Sequence, residues 1–285
     1  MPAYIVEKPG RCVKKKKKRF SRLRRRNLRR SGIICVDISI EWIDEMEAGI
    51  VKKGWKRLIA VCVLLALAGG VGMYLSGGYK ASSAALVAME GGKHNGHAQV
   101  FEPEDIQAGL IFYPGGLVDH AAYAPLMKAL SDRGILCLLT EMPLDLAVLD
   151  MKAAEGLQAL YPQVDRWLIG GHSLGGAMAA SYVAKHADAY DGLVLLGAYS
   201  TADLSTTDIS VLSIYGTEDG VLNREKYAEC LKHYPERFDE IVIDGGNHAN
   251  FGDYGAQKGD GEAAISREEQ MRITADAIAA MLAEE

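Results

Sequence analysis

The chain has 285 residues, is 49% hydrophobic and 24% charged, and contains 31 Gly and 8 Pro. Those proportions exclude a disordered, collagen-like or disulfide-scaffold chain, and the length allows one or two domains. The formal net charge of -5 hides an asymmetry: residues 1–57 hold 18 Lys+Arg against 6 Asp+Glu, and residues 58–285 hold 14 against 31. A basic tail therefore joins an acidic body. The tail suits an anionic partner, but the body lacks the clustered Lys/Arg that phosphate binding requires, so no nucleic-acid ligand is expected.

In chain order, residues 14–19 read Lys-Lys-Lys-Lys-Lys-Arg, and further arginines follow. Like charges at this density repel, and disorder is expected over 1–57. Met46 opens a compact positive stretch directly before an apolar run, so it is a candidate initiator that would leave residues 1–45 untranslated. The run itself, residues 58–76, has 19 residues and no charge. As a helix it would span about 28 Å, close to a bilayer core. Trp55 and Tyr74 lie near its ends, and Lys/Arg crowd its N-terminal side. This predicts a transmembrane signal-anchor with the N-terminus in the cytoplasm and everything after residue 76 outside. The small residues Ala81-Ser82-Ser83-Ala84 supply the alternative, cleavage and secretion. Residues 77–96 read as a stalk or short linking helix.

From His97 to Glu285, short apolar runs alternate with helical segments. Strands are predicted over 99–102, 108–113, 135–140, 166–170, 193–198, 210–215 and 240–244. Helices are predicted over 121–132, 150–160, 175–185, 224–233 and 267–283. Continuous apolar strands alternating with helices indicate a mostly parallel sheet covered on both faces, an α/β domain. The five cysteines, Cys12, Cys35, Cys62, Cys137 and Cys230, show no zinc-ligand spacing and read mostly as free thiols, with a Cys137–Cys230 disulfide left open.

One motif carries chemistry. Gly171-His172-Ser173-Leu174-Gly175 follows a predicted strand and opens a predicted helix. A Ser in such a Gly-x-Ser-x-Gly turn projects above the sheet edge, beside the positive end of a helix, as a nucleophile elbow requires. A serine hydroxyl needs a base. His94 and His97 precede the sheet, His172 is the motif's variable residue, His186 ends the following helix, and His233 sits on a surface helix. His120 could line the pocket. His248 lies in a Gly/Asn loop just after a strand and is the expected base. The carboxylate that orients it should fall between Ser173 and His248 at a strand end, which points to Asp219, with Glu218, Asp203 and Asp208 as competitors. The expected oxyanion donors are the backbone N–H of Leu174 and that of Gly116 or Leu117 in Tyr113-Pro114-Gly115-Gly116-Leu117.

The order Ser173, Asp219, His248, together with the elbow glycines Gly171 and Gly175 and the early Gly-Gly loop, resembles the α/β-hydrolase superfamily. The stretches FYPGGLVDHAAYAPLMKAL, EMPLDLAVL, IGGHSLGGAMAA, YGTEDG and GGNHANFGDYG look like its small, often membrane-anchored fold-5 group. The resemblance covers roughly residues 80–283 and implies a minimal lid, since no long insertion follows the 193–198 strand. It implies a serine hydrolase that cleaves a small ester-like substrate through an acyl-serine, without a metal or organic cofactor. A lactonase, thioesterase or peptidase would use the same chemistry. A membrane-tethered binding protein that keeps the fold without turnover is the reading from another class. Asp253 and Asp260, in the loop 250–261, read as solvated loop charge.

Overall fold

The structure is a computed structural model that describes residues 61–65, 69, 70, 72 and 77–283. Residues 61–65 are helical. Among the described residues no helix is long and apolar enough to cross a membrane. The basic tail, Met46 and most of the predicted anchor at 58–76 lie outside the described residues.

Eight strands form one sheet: β1 (Lys93–Asn95), β2 (Ala98–Phe101), β3 (Ala108–Tyr113), β4 (Ile135–Thr140), β5 (Trp167–His172), β6 (Gly192–Leu196), β7 (Ser210–Gly216) and β8 (Phe238–Ile243). Their spatial order is β1-β2-β4-β3-β5-β6-β7-β8. From β4 onward to β8 every neighbouring pair is parallel, while β1–β2 and β2–β4 are antiparallel. The helices are α1 (Ser83–Met89), α2 (Ala124–Ser131), α3 (Leu174–Val183), α4 (Arg224–Cys230) and α5 (Arg267–Ala283).

The continuous apolar runs have the burial they imply: β3, β4 and β6 are buried along their whole lengths. Alternate side chains of one strand enter different layers. Leu110 and Phe112 pack with Leu126, Met127 and Leu130 of α2 and with Met271, Ala275 and Ile278 of α5. Ile111 and Tyr113 point the other way, into a layer with Ala179, Ala180 and Val183 of α3. Each fully buried Leu, Ile or Phe contributes about 1.5–3 kcal/mol, so the two layers hold the strand ends in fixed positions.

Two expectations need revision. The helix predicted over 150–160 is a string of turns ending in a 3-10 turn at Gln158–Leu160. Its backbone groups are satisfied elsewhere: Tyr113 Oη donates to the Met151 carbonyl at 3.0 Å and accepts from Ala154 N–H at 2.9 Å, and His97 Nε2 bonds the Ala153 carbonyl at 2.8 Å. Gly156, at φ +80°, also leaves the right-handed region. Second, residues 77–96, read as a stalk or short linking helix, do hold a short helix, α1, but the segment is also packed on the domain. β1 joins the sheet, Ala85 of α1 is fully buried, and Tyr79 bridges to Val118. Cys137 and Cys230 are both buried and free, in line with the reading of mostly free thiols. Elsewhere element ends differ by a few residues, and the segment before α2 is a 3-10 turn, His120–Tyr123, with a proline following at the start of the helix.

Replacing Tyr113 by Phe leaves the buried Ala154 N–H without its acceptor and should cost about 1–3 kcal/mol. Urea unfolding measures this. A change near zero would show that these bonds do not hold the 150–160 segment.

Candidate active site

Ser173 sits between the end of β5 and the first residue of α3, at φ 53° and ψ -121°. A non-glycine residue at positive φ is strained. The backbone around it is too crowded for any side chain at the flanking motif positions. A Cβ on Gly175 would lie 2.2 Å from the carbonyl oxygens of both Tyr113 and Pro114, and one on Gly171 would lie 2.5 Å from the Tyr113 oxygen. The two glycines therefore let the turn press against the end of β3. Ser173 N–H is held by the Leu196 carbonyl at 2.9 Å, which ties the turn to β6 as well. Among the described residues four non-glycines have positive φ: Leu117, Leu144, Asp145 and Ser173. All four lie in loops after β3, β4 and β5, at the sheet's C-terminal edge.

Two further loops at that edge bring Asp219 and His248 together. His248 Nδ1 and Asp219 Oδ2 are 2.8 Å apart, and both side chains are buried. The other carboxylate oxygen accepts N–H bonds from Val221 at 2.9 Å and Leu222 at 2.8 Å. Burial alone would raise the Asp219 pKa, but the hydrogen bond and charge of His248, with those two N–H groups, outweigh it and the carboxyl is held below its ordinary value. A carboxylate on Nδ1 leaves the opposite ring nitrogen free to act. His248 Nε2 is buried and has no hydrogen-bond partner among the described residues. The His248 ring lies 4.4 Å from the His172 ring, one residue from Ser173.

Of the expected oxyanion donors, one is excluded. Leu117 N–H donates to the Asp145 carbonyl at 2.7 Å. Gly115 N–H donates to Tyr123 Oη at 3.0 Å. The remaining candidates are the N–H groups of Gly116 and Leu174. The two residues adjoin, since a Cβ on Gly116 would meet Leu174 Cδ2 at 2.9 Å. Of the loop's two candidates, the Leu117 N–H is thus engaged and Gly116 is the one that lies beside the elbow.

Sequence reasoning passed over the residues that hold these loops in place. His172, the motif's variable residue, is fully buried, with Nδ1 2.8 Å from Tyr123 Oη. Tyr123 Oη accepts from Gly115 N–H and also bonds His172 Nδ1, so the phenol joins the elbow to the Gly-Gly loop. Burial pushes the His172 pKa well down, and neighbouring His248 acts in the same direction against a backbone contact that favours the cation. Asp260 is not a solvated charge: it accepts from His248 N–H at 3.2 Å, Ala249 N–H at 2.8 Å and Gly220 N–H at 3.1 Å, which joins the Asp219 and His248 loops. Asp253 pairs with Arg267 and with Ser82 Oγ. The only sequence signal for these roles was their place at the end of β5 and in the segments after β3 and β8.

The competing candidates lie apart from this cluster. Glu218, Asp203 and Asp208 are exposed; Asp203 accepts from Ser205 and Glu218 from Thr217. His94 and His120 face Glu141, His97 bonds Ala153, and His186 bonds the Tyr182 carbonyl. A groove of about 560 Å³ lined by Glu102, Glu104, Asp105, Arg133 and others opens at the N-terminal ends of β3 and β4, and none of the elbow residues lines it.

A model of the alpha/beta hydrolase family matches residues 109–272, more than half of the chain. The chain belongs to the alpha/beta hydrolase family. A search of curated proteins finds no match. Among solved structures this alpha/beta hydrolase is similar to Est1E from Butyrivibrio proteoclasticus, at 13% identity and a TM-score of 0.50, covering 66% of this chain and 93% of that one. It is also similar to the esterase domain of a Rhodothermus marinus protein, at 16% identity and a TM-score of 0.49, covering 65% and 90%. Likeness at these identities is a statement about fold.

The depressed His172 pKa gives a signed prediction for this hydrolase. Below the usual imidazole value of 6.5 the unfolded chain takes up a proton that the folded chain refuses. Stability should therefore fall as pH drops through that value, with a slope of about 1.4 kcal/mol per pH unit. Urea midpoints taken from about pH 7.5 to about pH 5.5 should show the slope. His172→Gln should flatten it, and an unchanged slope in that variant would remove His172 as the cause.

Proposed function

We propose that the protein is a serine hydrolase that cleaves an ester-type bond through an acyl-serine, with Ser173, His248 and Asp219 as catalytic residues. The observation that carries this reading is the buried His248–Asp219 pair at 2.8 Å, with Nε2 of the same ring unpartnered beside the elbow. In the first half-reaction His248 Nε2 takes the Ser173 hydroxyl proton as Oγ attacks the ester carbonyl. Asp219 holds the Nδ1 proton and stabilises the imidazolium. The N–H groups of Leu174 and Gly116 hold the oxyanion. Collapse of the tetrahedral species expels the alcohol, which takes the proton from His248. Water then enters, His248 removes its proton, and attack on the acyl-serine releases the acid and restores Ser173. We further infer that residues 58–76 anchor the chain in a membrane with the catalytic domain outside; their length, lack of charge and positive N-terminal flank support this.

A fluorophosphonate probe should label Ser173, and Ser173→Ala should abolish labelling and lower turnover of p-nitrophenyl acetate by about 10⁴-fold or more. Asp219→Asn should cost on the order of 10⁴-fold, since the amide no longer enforces the productive tautomer of His248. A chain that binds no probe and turns over no ester would be a binding protein of the same fold.

A further inference from the structure

The chain is fixed to the active-site loops immediately after its apolar run. Tyr79 N–H donates to the Leu117 carbonyl at 2.7 Å, and Asp119 N–H donates to the Tyr79 carbonyl at 2.9 Å, on the loop that follows Gly116. Tyr79 Oη accepts from Lys258 N–H at 3.1 Å, and the ring lies against Tyr254. Three residues later Ser82 N–H donates to the Asp253 carbonyl at 2.8 Å and Ser82 Oγ donates to its carboxylate at 2.5 Å, on the loop that follows His248. Residues 79–82 thus join the loops that carry Gly116 and His248. From residue 76, where the apolar run ends, to Tyr79 is three residues, a reach of about 10 Å at most. If residues 58–76 sit in a bilayer, residues 79–82 tie the chain to the sheet's C-terminal edge only three residues from the end of that run.

That edge carries an apolar collar. Leu144, Val148 and Leu149 are 58%, 52% and 54% exposed. They occupy the segment after β4, whose Asp145 carbonyl accepts from Leu117 N–H. The turn Ala147–Leu149 packs on α3, the helix headed by Leu174. Exposed large apolar side chains gathered beside a site mark an interaction surface. Glu141, Asp145 and Asp150 are interleaved with them, which favours neutral over anionic lipid. Within the apolar run, Val61, Val63, Leu64 and Leu65 are all more than half exposed on a helical stretch.

We propose that the collar lies on the bilayer surface and that the substrate is the acyl ester of a bilayer-resident amphiphile, passing from the membrane directly to Ser173. This rests on the serine-hydrolase reading and names its substrate class. The test uses the full chain in phosphatidylcholine vesicles with two substrates, soluble p-nitrophenyl butyrate and bilayer-dissolved 4-methylumbelliferyl oleate. In the triple variant Leu144→Asn, Val148→Ser, Leu149→Ser, with Asn chosen because it tolerates the positive φ at 144, turnover of the soluble ester should stay within about twofold while that of the bilayer ester falls at least about tenfold. Separately, a Val148→Trp variant should be quenched by brominated phosphatidylcholine, whereas Glu236→Trp, at the opposite edge, should not. Equal loss on both esters, no loss on either, or no turnover of the bilayer ester by the unaltered chain would overturn the substrate class. Equal quenching at 148 and 236 would overturn the orientation and leave the collar to a protein partner. If the unaltered chain hydrolyses neither ester, the serine-hydrolase reading fails, and the quenching pair still decides the orientation.

Discussion

The site depends on a backbone crossing. The turn at Ser173 presses so closely on the end of β3 that neither Gly171 nor Gly175 has room for a Cβ. This crossing sets Gly116 against Leu174, forces Ser173 to positive φ, and brings the head of α3 to the sheet edge. Such strain persists only where its surroundings over-determine it. Here they do: β5 lies between β3 and β6 with all of its residues buried, and the Leu196 carbonyl holds the Ser173 N–H.

Around that crossing, the loops are joined to one another by side chains. Tyr123 links the Gly-Gly loop to His172, Asp260 links the Asp219 loop to the His248 loop, and Ser82 links the N-terminal segment to Asp253. Most of these groups are buried, where an unmade polar contact is costly, so each link resists being broken by itself. The result is a fixed geometry: His248 is held at Nδ1 by a carboxylate that is itself held by two N–H groups.

Much of the framework was legible because it rests on local patterns. The predicted bounds of β3 and β4, 108–113 and 135–140, match the observed strands, and those of α5, 267–283, match the observed helix. In these elements the residues' own periodicity and burial decide the outcome. The 150–160 segment shows the limit. Its apolar spacing suits a helix, but a tyrosine from β3 and a histidine from outside the sheet take its backbone groups. No window of sequence around 150–160 contains that competition. Asp260 went astray for the same reason, since the partners that define it are distant in the chain.

The sequence by itself determined the class of fold, the strand-turn-helix at Ser173, and the placement of Asp219 and His248 just past strand ends, because strand periodicity, glycine spacing and chain order are local or one-dimensional properties. Only the tertiary structure decided which carboxylate touches His248, that the Leu117 N–H is engaged by the Asp145 carbonyl, and that the residues after the apolar run are bonded to the loops of the site. Those outcomes depend on contacts between segments far apart in the chain, whose free energy exists only once the two packed layers fix the loops in space.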